Sequence, residues 1–132
     1  MILLDTHTLI WWLLQSKQLS KTALQAINRT ITQHERILVS TISIWEISLL
    51  HNSGRLPLIY ELEIWLDQLK KFEDIQFLPI DFSLAYQSTQ LPGTFHKDPA
   101  DRFIVATALA TGATLVTKDQ KIRRYKHVKT LW

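Results

Sequence analysis

Five acids are spaced so that a fold could bring them together: Asp5, Glu46, Asp98, Asp101 and Asp119. The chain contains no cysteine, so any metal it holds must sit on oxygen or imidazole. Carboxylates converging from separate segments repel one another unless a cation lies between them. They suit a hard divalent ion such as Mg²⁺ or Mn²⁺, which takes oxygen ligands and keeps several waters. The chemistry such a centre supports is in-line attack of metal-activated water on a phosphodiester, with the ion also stabilising the leaving oxygen. Each acid also has a plainer use. Asp5 and Asp119 can cap the helices that follow them, Glu46 can be an ordinary helix-surface residue, and Asp98 stands at the N-cap position before Pro99.

The elements that must position these acids alternate along the chain. Ile2-Leu3-Leu4 is a short apolar run ending at Asp5, which reads as a buried strand leading into a helix with Leu9, Ile10, Leu13 and Leu14. Ser20 caps a helix over 21–34 whose apolar face holds Leu24, Ile27 and Ile31, and Ile37-Leu38-Val39 is a second strand. Thr41 or Ser43 caps a helix with Ile44, Ile47 and Leu50 that stops near Gly54. A helix over 60–72 turns Leu62, Trp65, Leu66 and Leu69 inward, and 75–80 is a third strand. Asp81 opens a helix that ends before Pro92-Gly93, Pro99 opens another that Gly112 closes, and 113–117 is a fourth strand. A short basic helix and a last strand near Val128 complete the chain. Strands alternating with helices predict an α/β fold with a mostly parallel sheet of four to five strands, helices on both faces, and function at the carboxyl ends of the strands.

Placed on that frame, Asp5 closes the first strand, Glu46 follows the second by about two helical turns, and Asp119 lies just past the fourth. Asp101 begins a helix whose Phe103-Ile104-Val105-Ala106 must pack on the sheet, so its carboxylate points toward the strand ends. Trp45, Trp11 and Trp12 read first as core residues, the last two also as a partner surface.

Composition narrows the classes further. At 132 residues and 46% hydrophobic, the chain predicts one domain over 1–132 with a core of its own. There is no basic leader, and the apolar stretch from Leu9 to Leu14 is too short for a bilayer, so secretion and membrane insertion are not expected and the cytoplasm is. Net charge is +3, and from Lys118 onward Lys118, Lys121, Arg123, Arg124, Lys126 and Lys129 face a single acid, Asp119. Such a run is either a solvated face or a surface for a polyanion.

Four segments in order resemble the PIN-domain nucleases, specifically the VapC-like toxins of type II toxin–antitoxin modules: Leu4-Asp5-Thr6-His7-Thr8-Leu9-Ile10-Trp11-Trp12, Ser43-Ile44-Trp45-Glu46-Ile47, His96-Lys97-Asp98-Pro99-Ala100-Asp101-Arg102 and Leu115-Val116-Thr117-Lys118-Asp119. The resemblance implies a PIN fold, Mg²⁺- or Mn²⁺-dependent endoribonuclease activity, a cognate antitoxin that inhibits it, and a homodimer. Position by position, Asp5, Glu46, Asp101 and Asp119 match the family's acidic quartet. Asp5 and Asp101 are the direct ligands it implies, with Asp119 and Asp98 as further candidates. Thr117 matches the small hydroxyl residue before the last acid, which holds a water or orients a carboxylate; Thr6 and His7 are read as groups behind the ligands, His7 alternatively as a hydrogen-bonded structural histidine, and Lys118, Lys121, Arg123 and Arg124 are candidate RNA contacts. Trp11, Trp12 and the helix around Trp65 are candidate antitoxin contacts. Where the subgroup often has a bulky residue, this chain has Ala100, which leaves the acids untouched.

Three other readings compete. A haloacid-dehalogenase-type phosphotransferase also ends its first strand in an aspartate but needs a second one two residues later, where this chain has His7. A non-catalytic RNA- or antitoxin-binding module would not need the full acidic set. A DNA-directed nuclease would use the same metal chemistry, and only the resemblance favours RNA.

Overall fold

A computed structural model describes residues 1–132. The order of elements is β1 (Ile2–Leu4), α1 (Thr6–Leu13), α2 (Lys21–Thr32), β2 (Ile37–Ser40), α3 (Ile42–Asn52), α4 (Leu62–Lys70), β3 (Ile75–Leu78), α5 (Phe82–Gln87), α6 (Pro99–Thr111), β4 (Thr114–Val116), α7 (Gln120–Arg123) and β5 (Thr130–Leu131). All strand pairings are parallel, in the order β3-β2-β1-β4-β5.

Alternation along each central strand explains why these runs are apolar throughout. Ile2, Leu4, Ile37, Val39, Ile75 and Val116 face one core, completed by Leu9 and Ile10 of α1, Ala23 and Ile27 of α2, Ile47 of α3 and Leu69 of α4. Leu3, Leu38 and Leu115 face the other, built with Ile104, Val105 and Ala108 of α6, Ile122 of α7 and Tyr125. A sheet covered on both faces has no polar side to show, so β1 and β2 are buried at every residue.

Helix starts follow the capping chemistry of the sequence. Asp5, Ser20, Asp81, Asp98 and Asp119 each accept a backbone N–H from the first turn of the helix they open, and such caps contribute about 1 kcal/mol apiece. Gly112, at φ 72°, ends α6 in the left-handed conformation that glycine adopts without strain.

Several expectations need correction. The last strand is Thr130–Leu131 rather than near Val128: Val128 packs against the core that Leu3 and Leu115 share, while Thr130 pairs with Leu115. Of the two expected caps of α3, Thr41 stands at the N-cap position but makes no side-chain cap bond, and Ser43 lies inside the helix, fully buried. The 21–34 helix stops at Thr32 because His34 takes a positive φ of 58°. Three further elements are shorter than read: Leu62–Lys70 for the 60–72 helix, Ile75–Leu78 for the third strand, which meets Pro79, and Thr114–Val116 for the fourth. Leu14 and Leu24 are exposed rather than inward.

Candidate active site

The strand order reverses direction at β1. From there the chain builds outward through β2 and β3 on one side and through β4 and β5 on the other. The crevice above such a switch point, at the carboxyl ends of the strands, is where parallel α/β sheets bind ligands. Asp5 leaves β1 and Thr117 leaves β4 at that point, the two strands being paired through Leu4 and Val116.

Asp5 is 7% exposed and held at both oxygens. The Thr8 backbone N–H donates to Oδ1 at 2.8 Å, and the Thr117 hydroxyl donates to Oδ2. Thr117 also accepts the Asp119 backbone N–H at 3.0 Å, so one buried hydroxyl links two of the acids. Thr8 is itself anchored, its hydroxyl donating to the Val116 carbonyl at 2.9 Å. Glu46 reaches the same region from the second turn of α3, where the Thr6 hydroxyl donates to its Oε1 and lies 2.9 Å from the Ser43 hydroxyl. Asp98 and Asp101 arrive on the first turn of α6, with Asp98 accepting the Asp101 N–H at 3.1 Å.

A cavity of about 640 Å³ lies between these segments, lined among others by Asp5, Glu46, Asp98, Asp101 and Asp119. Burial pushes the Asp5 carboxyl above its ordinary range, against the pull of the Thr117 and Thr8 hydrogen bonds. Glu46 is raised by burial too, with the neighbouring Asp98 charge adding to the shift and Thr6 opposing it. Asp101 is raised to about 7, first by burial and then by the negative charges of Asp98, Asp119, Glu46 and Asp5. The acids ring the cavity, and no three His, Asp or Glu side chains meet in ready-made ligand geometry. Even so, their donors are all hard oxygens, and the mutual repulsion that adds to the burial of Asp101 is what a divalent cation would relieve.

The other expected residues distribute unevenly. Thr6, His7, Lys118 and Lys121 line the cavity. Thr117 stands behind Asp5, fully buried. His7 makes no hydrogen bond that would mark it as structural: it is exposed and lies against Trp11, with ring centroids 5.6 Å apart. Trp11 packs against the core and also forms part of the cavity wall, flanked by Trp132 at 5.8 Å and with the Lys118 ammonium 5.7 Å above its ring. Trp45, expected in the core, is 52% exposed and shares a rim groove with Glu46, Asp98 and Ala100. Trp12 packs edge-on against Phe72 away from the acids, and Trp65 is half-buried against the same core. Arg123 and Arg124 do not line the acidic cavity.

Three residues with a part in the site were passed over in the sequence. His96 places Nε2 3.1 Å from Asp101 Oδ2, while its Nδ1 accepts the Asp98 N–H at 3.3 Å. Arg102 donates to the carbonyls of Ser88 at 2.9 Å, Phe95 at 3.0 Å and His96 at 3.2 Å, fixing the loop that carries His96. Ser43 supports Thr6. The only sequence signals were His96 two residues before a capping aspartate and a cation directly after Asp101.

The PIN domain family model matches residues 2–128. The chain is 37% identical over 133 residues to Ribonuclease VapC22 of Mycobacterium tuberculosis (strain ATCC 25618 / H37Rv), covering 99% of this chain and 98% of that protein. Among solved structures it resembles VapBC2 from Rickettsia felis bound to a promoter DNA fragment, with a TM-score of 0.69 at 17% identity over 99% of this chain and 98% of that one. It also resembles DNA-bound VapBC from Salmonella typhimurium, with a TM-score of 0.68 at 20% identity over 98% of this chain and 96% of that one. Sheet order, acidic cavity and family match agree: this chain belongs to the PIN-domain family.

Proposed function

We propose that the protein is a divalent-metal-dependent endoribonuclease that acts as the toxin of a type II toxin–antitoxin pair. The observation that carries this reading is one cavity at the switch point ringed by five acids, with Asp101 raised to about 7 by burial and then by its acidic neighbours. Such an arrangement is costly unless a cation is bound, and costly buried charge collects at functional sites. The relative named as a ribonuclease supports RNA as the substrate over DNA. The VapBC likenesses support an antitoxin partner, for which Trp11, Trp12 and the α4 face around Trp65 are the proposed contacts. We extend the proposal to residues 1–132 acting as one domain in the cytoplasm, and to a homodimer. No helix is long and apolar enough to cross a membrane.

Asp5, Asp101, Asp119 and Asp98 would hold Mg²⁺ or Mn²⁺, with Glu46 as the remaining catalytic acid. When bound, the ion supplies charge to offset the scissile phosphate and lowers the pKa of water for attack on phosphorus. This chain's residues do the rest. Thr117 and Thr8 fix the Asp5 carboxylate in one orientation, and Thr6 does the same for Glu46, whose raised pKa suits it to accept and return a proton. Lys118 and Lys121 on the cavity wall bring positive charge to the strand's phosphates.

The experiment is cleavage of a total RNA pool by the purified protein, freed of any bound partner, with Mg²⁺ or Mn²⁺ and beside EDTA and Asp5→Asn controls. Discrete products lost in both controls support the reading. Absence of products with either metal overturns it in favour of a binding module, and cleavage of DNA alone overturns the choice of substrate.

A further inference from the structure

Beside the acidic cavity is a second concavity of about 650 Å³, lined by Gly93, Thr94, Phe95, His96, Lys121, Arg124, Tyr125, Lys126 and His127. Lys121 belongs to both walls, and His96 of the second concavity touches Asp101 of the first. The two are therefore neighbours along one surface, one acidic and one basic.

The basic concavity is built on a fixed frame. From one side, Arg102 holds the 88–96 backbone through three carbonyls. From the other, the buried Tyr125 donates its hydroxyl to the Pro92 carbonyl, tying the turn after α7 to the same loop. Phe95 lies 4.9 Å from Tyr125, and Tyr125 lies 5.2 Å from His127, so an aromatic row supports the basic rim from below. Gly93, at φ 65°, leaves room for the His127 ring: a Cβ there would come within 3.1 Å of Nε2. Lys121, Arg124 and Lys126 carry no ion pair and stand exposed around this frame.

We infer that this concavity is a backbone-phosphate subsite, holding an RNA strand one or more nucleotides away from the bond being cut. The electrostatics require something of the kind. Five carboxylates around the reaction cavity repel a polyanion, and the field of exposed cations decides whether the strand approaches at all. Arg124 and Lys126, placed beside the acids rather than among them, attract the strand without neutralising the groups that hold the metal. Arg124 suits a phosphate through its planar fork of donors, while Lys126 and His127 close the rim. This inference rests on the ribonuclease reading.

The test separates the two. Binding of a fluorescent oligouridylate is measured by anisotropy in EDTA over a range of salt, for the wild type, for Arg124→Ala/Lys126→Ala and for the distant exposed pair Lys21→Ala/Lys70→Ala. Single-stranded RNA loses about 0.7 in log–log salt slope per phosphate contact removed, so the subsite pair should flatten the slope by about 1.4 and weaken binding roughly tenfold, while the distant pair does neither. Cleavage with Mg²⁺ is then compared on a long RNA and on a dinucleotide too short to span both concavities. The subsite pair should raise KM for the long RNA at unchanged kcat and leave the dinucleotide rate at the wild-type value.

An equal salt slope in all three proteins overturns the subsite, as does equal loss on both substrates, which would place these residues in the chemistry or the fold. Tighter binding of an acidic peptide than of RNA, lost in the same variant, overturns it in favour of a protein contact. A wild type that binds RNA with the expected slope but cuts nothing sinks the ribonuclease reading and leaves the phosphate site standing.

Discussion

Thr117 donates its hydroxyl to Asp5 across a separation of 112 residues, and both side chains are buried where β1 and β4 end side by side. The same oxygen accepts the Asp119 N–H, so a single hydroxyl sets the spacing of two acids. Thr117→Val keeps the shape and removes both functions. It should cost about 1–3 kcal/mol in the metal-free protein, since a buried carboxylate loses a donor, and should lower cleavage as well. Thr117→Ser should restore most of each. Urea midpoints and initial rates on the three proteins check this, and a Ser variant as impaired as Val would show that the methyl group matters instead.

Asp101 gives the metal-free protein a defined pH response. Its folded value is about 7 against 3.8 for the ordinary side chain. Between those values the folded state holds a proton that the unfolded chain has released, so stability falls as pH rises from about 4 to about 7 and then levels off. The whole change should be on the order of 2 kcal/mol, because neighbouring acids share the repulsion. Asp101→Asn should remove most of this slope, raise the unfolding midpoint near pH 8, and abolish cleavage. A slope that persists in the variant would assign the pH response to another group.

Divalent cations should reverse that behaviour. An ion competes with protons for the same oxygens, so Mg²⁺ affinity should strengthen as pH rises through about 7. At an Mg²⁺ concentration about 100 times Kd, stability should rise by about 2.7 kcal/mol, and the loss of stability on raising the pH from about 4 to about 7 should shrink. Thermal melts with Mg²⁺, with Ca²⁺ and with EDTA decide the point. Equal melting points in all three would mean that the acids hold no divalent ion.

Arg102 tests the frame that carries His96. Its guanidinium satisfies the carbonyls of Ser88, Phe95 and His96 at once. Arg102→Gln cannot span all three, and should cost about 2–4 kcal/mol with faster hydrogen exchange in the 88–98 segment. Exchange confined to the ends of the chain would show that the loop is held by other contacts.

Much of the architecture was readable because it rests on short-range chemistry. Runs such as Ile2-Leu3-Leu4 and Ile37-Leu38-Val39 are apolar at every position because both faces of the sheet are covered, and Asp98-Pro99 is a local signal for a helix start. The placement of acids at strand ends followed from the same periodicity. What the sequence withheld is long-range. Nothing near Glu46 announces that Thr6 will be its donor, and although the resemblance marks Thr117 as an orienting residue, no local sign says that the carboxylate it holds is Asp5. Trp45 was misplaced because α3 has apolar residues on every side, Ile42, Ile44, Trp45, Ile47, Leu49 and Leu50, so no stripe marks its inner face. Its register is set instead by Ser43 and Ile47, the two α3 residues that pack fully inside. Val128 was taken for a strand residue when its apolar side chain packs against the core that Leu3 and Leu115 share.

The sheet order has a consequence for how the protein is made. β1, the first strand to be synthesised, lies between β2 and a partner, β4, that comes more than a hundred residues later. Until β4 emerges, one edge of β1 is open, Asp5 lacks its hydroxyl donor, and the last acid of the ring does not yet exist. A nascent chain carrying everything through Asp101 still lacks Thr117 and Asp119. The acidic cavity therefore closes only when the segment through Asp119 has joined the sheet, long after the strand at its centre has been made.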